Sequence, residues 1–105
     1  MTVYVIAQIT IHDRSGYTRY EEGFMAVFEK FDGTMLSIDE EPMVLEGEFT
    51  ATRSVLITFP SKAQAMAWMT SPDYQAIAKH RLAASIANSI LVKGFTPEML
   101  QNSGE

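Results

Sequence analysis

Val3-Tyr4-Val5-Ile6-Ala7-Gln8-Ile9-Thr10-Ile11 alternates along its whole length. Val3, Val5, Ala7, Ile9 and Ile11 fall on one side, and Tyr4, Ile6, Gln8 and Thr10 on the other, the period-two signature of a strand. The first side is wholly apolar and predicts a core face. The second carries Tyr4 and Ile6, too apolar for free solvent, and predicts a cover of its own.

Reading outward, His12-Asp13-Arg14-Ser15-Gly16 breaks the alternation, and Asp13 or Ser15 can cap a helix, with Thr18 and Glu21 as an alternative capping box. Tyr17, Tyr20, Phe24, Val27, Phe28 and Phe31 then recur at helical spacing, up to a stop at Asp32-Gly33. Residues 34–38 and 43–49 read as extended runs joined by the Asp39-Glu40-Glu41-Pro42 turn, as a hairpin or a bent strand, with Gly47 marking a bulge or close approach. Residues 50–53 read as a loop.

Residues 54–59 form a second alternating strand, with Val55, Ile57 and Phe59 on one side and Leu56 on the other, ended by Pro60. Ser61 with Gln64 caps a short apolar helix that contains Ala65 and Trp68, and Ser71-Pro72 restarts helix because proline is tolerated at its first position. Tyr74, Ile77, Ala78, Arg81 and Leu82 share one face of that second piece. Residues 89–95 read as the last strand. The expectation is one α+β domain over 1–95, a ferredoxin-like βαββαβ sandwich with an antiparallel sheet and helices on one face, followed by a polar tail over 96–105.

The bare side of such a sheet needs covering, and face-to-face pairing of identical chains covers both copies at once. A homodimer is therefore expected. The 105 residues are 47% hydrophobic and 20% charged, an ordinary globular balance. No apolar run is long enough to span a bilayer, and the Met1-Thr2-Val3-Tyr4 start reads as strand and not as a signal peptide, so the expected setting is cytoplasmic. There is no cysteine, hence no disulfide and no thiolate chemistry. A net charge of −5 with scattered basic residues argues against nucleic-acid or anionic-membrane partners.

Glu46-Gly47, Phe59-Pro60-Ser61, Ala65 with Trp68, Ser71-Pro72-Asp73-Tyr74 and Arg81, in this order and spacing, resemble the domain of unknown function 1330 family over residues 3 to 95. The resemblance implies a dimeric α+β barrel of two four-stranded sheets with helices outside and ligand clefts between helix and sheet. It implies no single activity: the wider superfamily includes antibiotic-biosynthesis-type monooxygenases, lactone isomerases and haem-degrading proteins. Phe31-Asp32-Gly33 departs from the paired-glycine turn expected there.

Several residues are candidates for a site. His12 and Asp13 close the first strand but point apart as neighbours in an extended chain, which disfavours an acid–base dyad; Asp13 also reads as a helix cap and His12 as a surface histidine. Tyr17, Tyr20, Trp68 and Tyr74 either line a pocket or fill the core, because a stripe at helical spacing reports burial first. Glu46 and Arg81, both within the resemblance, and Arg53 as a second cationic partner, could orient a polar ligand or form a structural ion pair. His80 reads as solvent-facing.

Two histidines without an i, i+4 pair do not make a metal motif, the isolated glycines make no phosphate loop, and Ser61 and Ser71 are explained as caps. No cofactor is expected. The resulting expectation is a small-molecule-binding homodimer, in its enzymatic form a cofactor-independent monooxygenase- or isomerase-like protein, against the alternative of a non-catalytic structural or regulatory dimer.

Overall fold

The computed structural model describes residues 1–97. The chain runs β1 (Val3–Ile11), α1 (Arg14–Phe28), β2 (Thr34–Asp39), β3 (Arg53–Phe59), α2 (Lys62–Met69), α3 (Pro72–Ala84) and β4 (Ser85–Lys93). Its four strands form a sheet in the order β2-β3-β1-β4 with every pair antiparallel. This is the ferredoxin-like α+β arrangement, with the second helical segment divided at Ser71-Pro72 as the sequence reading expects.

The alternation of β1 fixes the register. Val5 faces Ile57 and Leu91, and on the other side Ile6 faces Leu56 and Ile90. The inner row points at the helices, where Val3, Val5, Ile9, Ile57 and Phe59 are buried. Among the described residues nothing covers Ile86 and Ile90 of the outer row, which stay 65% and 60% exposed.

Local chemistry sets each helix start. The Asp13 carboxylate accepts the Gly16 amide at 3.2 Å and the Ser15 hydroxyl at 3.0 Å. These bonds, the backbone one foremost, hold its carboxyl below the usual range. Ser61 Oγ accepts the Gln64 amide at 3.2 Å, and Ser71 Oγ accepts the Tyr74 amide at 3.1 Å with Pro72 at the first turn of α3. The stripe of α1 buries Tyr17, Tyr20, Val27 and Phe28, and a web of rings continues it: Phe28–Phe59 at 5.9 Å, Phe28–Trp68 at 5.6 Å and Trp68–Tyr74 at 4.4 Å between centroids. Gly33 stands against this web, where a Cβ would lie 2.7 Å from both Phe28 and Phe59 ring atoms.

Some expectations need correction. Residues 43–49 are not a strand: Pro42 lacks an amide to donate, Gly47 takes φ +77°, and Met43 and Leu45 are 84% and 90% exposed. The irregularity in the sheet falls instead between Met35 and Ser37 in β2. The strand after this excursion begins at Arg53, inside the stretch read as loop. The last strand begins at Ser85, earlier than expected, because α3 feeds it directly and the pairing with β1 extends to Ile11↔Ser85. Leu82 lies off the inward arc of α3, 64% exposed. Of the expected polar tail, residues 98–105 lie outside the described residues.

Candidate functional site: a cavity between helices and sheet

Small side chains leave room on the inner face. Ala7 faces Ser89 across β1 and β4, and Ile9 faces Ala87. Above these short residues, and over Val5 and Val55, lies a cavity of about 270 Å³. Its roof comes from Tyr17, Tyr20 and Phe24 of α1 and from Trp68, Tyr74 and Arg81 of α2 and α3. It opens where Met25, Ile38 and Ser89, all exposed, border it.

The polar groups of this wall divide into three sets. Tyr20 and Tyr74 share a hydrogen bond of 3.0 Å between buried hydroxyls. Burial, and then the neighbouring Tyr74, push the Tyr20 phenol far above its ordinary value; burial raises Tyr17 as well. Both phenols therefore stay protonated at neutral pH and act as donors, not as bases.

Arg53 is the second set. Only 8% exposed, it reaches Glu21 of α1 at 3.2 Å and Glu40, just past β2, at 2.6 Å, while its guanidinium carbon lies 5.3 Å from the Tyr17 ring centroid. Glu40 also accepts two bonds from Arg14, at 2.9 and 3.1 Å. Arg14 first, and Arg53 second, hold the Glu40 carboxyl below its usual range. Arg53 is thus neutralised.

Arg81 differs. Its guanidinium carbon lies 5.8 Å from the Tyr20 ring centroid, and no carboxylate among the described residues stands within ion-pair distance of it. Arg81 Nε, Trp68 Nε1 and Arg53 Nε are buried with no hydrogen-bond partner.

The model of the family described as domain of unknown function (DUF1330) matches residues 2–95. The chain belongs to this family. No curated protein matches it. Solved structures share the fold of this DUF1330 chain at low identity. A protein of unknown function from Rhodopseudomonas palustris, RPA0582, is 19% identical with a TM-score of 0.78, covering 91% of this chain and 84% of its own. A dimeric ferredoxin-like protein of unknown function from Jannaschia sp. CCS1 is 16% identical with a TM-score of 0.65, covering 90% of this chain and all of its own, 100%. SnoaB from Streptomyces nogalater, a cofactor-independent oxygenase, is 14% identical with a TM-score of 0.63, covering 90% of this chain and 94% of its own.

The structure brings Tyr17, Tyr20, Arg53, Trp68, Tyr74 and Arg81 of the DUF1330 chain to one cavity. It does not bring the others there. His12 is exposed and its amide bonds the Ala84 carbonyl at 3.0 Å, while Asp13 is the cap of α1. Glu46 sits exposed on the excursion between β2 and β3, away from Arg81, and forms no ion pair among the described residues. The acids that meet an arginine are Glu21 and Glu40, which the sequence offered only as a capping residue and a turn residue. The signal for Glu21 was its place one helical turn beyond Tyr17, hence on the same face of α1. His80 is exposed. Among the described residues no group of three His, Asp or Glu side chains converges as a metal site would require. None of the described helices is long and apolar enough to cross a membrane.

Proposed function

We propose that this DUF1330 chain binds a small, largely apolar organic molecule in the cavity between its helices and sheet, working as a cytoplasmic homodimer. The observation that carries the reading is the cavity itself: about 270 Å³, walled mainly by aromatic and aliphatic side chains, with a few polar groups among them. Binding sites for small molecules have this composition, and this volume is near the lower end of their range. Dimerisation draws support from the outer sheet face, where Ile6, Leu56, Ile90 and Ile86 form an apolar surface of the kind a second copy covers, and from the dimeric state of the Jannaschia neighbour.

An enzymatic form of this reading works by proton transfer without a cofactor; among the neighbours, SnoaB is a cofactor-independent oxygenase. Protonated Tyr17 and Tyr20 would then serve as hydrogen-bond donors, and Glu21 is the carboxylate on the cavity wall placed to take a proton. The test of the binding reading is a panel of one- and two-ring aromatic and lactone compounds followed by calorimetry, with Ala87→Phe as the variant that fills the cavity. Saturable binding to the native chain and its loss in Ala87→Phe is the expected result. Binding that survives in a folded Ala87→Phe chain refutes the cavity as the site.

A further inference from the structure

Two guanidinium groups border the cavity, and only one has its charge answered. Arg53 holds Glu21 and Glu40 at 3.2 and 2.6 Å. Arg81, half-buried beside the Tyr20 ring, has no carboxylate within ion-pair distance among the described residues, and its Nε is buried without an acceptor. A guanidinium is always charged and only donates, so burying Nε without an acceptor leaves that donor unmet.

Its surroundings do not meet it. Trp68 Nε1, 3% exposed as a residue, is another donor without a partner, and an indole nitrogen cannot accept. The Tyr20 and Tyr74 hydroxyls bond each other at 3.0 Å, one donating and the other accepting, which leaves one O–H as a further donor. The Tyr20 ring face attracts the Arg81 cation and holds it in place, but supplies no hydrogen-bond acceptor. On the Arg81 side the wall is therefore rich in donors and positive charge, beneath aromatic surface from Phe24 and Trp68.

We propose that the guest of this cavity is an organic carboxylate carrying one or two flat rings, its carboxylate paired with the Arg81 guanidinium and its rings against Phe24 and Trp68. The proposal rests on the cavity being a binding site and names the ligand class. The guanidinium fork matches a carboxylate in a two-bond geometry that a neutral ester or amide does not reproduce. Size follows from volume: a protein cavity of about 150 Å³ holds benzene, and 270 Å³ leaves space for a second ring or a substituent.

The experiment compares 2-naphthoate with methyl 2-naphthoate and 2-naphthamide, by calorimetry and by the indole N–H resonance of Trp68, the chain's single tryptophan. The native chain is expected to bind the acid about tenfold or more tightly than either neutral compound, the scale of a charged hydrogen-bonded contact, with a shift of the Trp68 resonance. Arg81→Met should abolish this preference while keeping affinity for the ester, and Arg81→Lys should restore part of it. If Arg81→Met does not fold, the acid-to-ester ratio of the native chain and the Arg81→Lys chain still decides. Equal binding of acid and ester overturns the anion preference and leaves the cavity reading standing. An acid that binds without moving the Trp68 resonance overturns the placement, and failure of all three compounds to bind overturns the cavity reading together with this one.

Discussion

Val5, Ile57 and Leu91 form one row across the sheet, and Ile6, Leu56 and Ile90 form the next, one residue along each strand. Both rows are aliphatic throughout. Val5 and Ile57 are 6% and 3% exposed, however, whereas Ile90 is 60% exposed. Burial here is decided by what lies above the row and not by the chemistry of the row: α1, α2 and α3 cover the inner side, and on the outer side Ile90 has no such cover among the described residues. A further contrast lies two residues along each strand from these rows, on the same faces. On the inner face Ala7 and Ser89 are short and leave a cavity, while on the outer face Ser54, Gln8 and Asn88 are aligned as a polar row across the apolar surface.

The sharpest way to separate the two faces is to truncate one side chain on each. Phe59→Ala removes a fully buried ring in contact with Phe28 and Trp68, and is expected to cost about 4 kcal/mol of unfolding free energy, measured by urea titration. Ile90→Glu should leave the unfolding of the isolated chain within about 0.5 kcal/mol, as for a surface substitution. It should instead weaken self-association about a hundredfold, near 3 kcal/mol, by placing a charge in an apolar contact. Sedimentation over a concentration series measures this. A native chain that stays monomeric at micromolar concentration, or an Ile90→Glu chain as unstable as Phe59→Ala, removes the distinction between the faces.

Arg53 tests the inner face from another side, because it is a charged residue facing inward from β3. Arg53→Met keeps the aliphatic stem and leaves Glu21 and Glu40 without their shared cation. The expected loss is about 2 kcal/mol in urea unfolding, below the usual cost of breaking a fully buried pair because the two carboxylates are 37% and 38% exposed.

The smallest effect belongs to pH. Arg14 and Arg53 hold the folded Glu40 carboxyl below its ordinary value of 4.5, so its contribution is fully present above that value and is lost as the pH falls through the lower folded value. Solvent screening limits this contribution to about 1 kcal/mol or less. Urea unfolding over an acid series should therefore show the native chain losing its advantage over Glu40→Gln below pH 4.5. An advantage that persists unchanged into acid would show that the bridge contributes nothing.

How much of this was legible in the sequence depended on whether a signal was local. The alternation of β1 and β3 and the stripe of α1 are periodic, and periodicity survives whatever the tertiary structure does. So Tyr17, Tyr20, Trp68 and Tyr74 could be named as an inward aromatic set before their common cavity was known. Met43, Val44 and Leu45 carry strand-like composition too, but a strand needs a neighbour to pair with, and composition cannot supply one. The start of β4 was hidden for the opposite reason: Ala84 passes into Ser85 with no glycine or proline to punctuate it. The partners of Arg53 were illegible because five acids, Asp39, Glu40, Glu41, Glu46 and Glu48, lie close together in the chain, and only the path after β2 decides which returns to the sheet.

The Ser71-Pro72 break also shapes the cavity wall. On one unbroken helix, residues six positions apart would be rotated by about 240° and separated by about 9 Å along the axis. Trp68 and Tyr74 would then look in different directions. The corner between α2 and α3 brings their ring centroids to 4.4 Å and makes them one continuous panel beside the cavity. The number of residues at that corner thus acts as an adjustment screw, setting where Tyr74 stands and, through it, the hydroxyl bond to Tyr20.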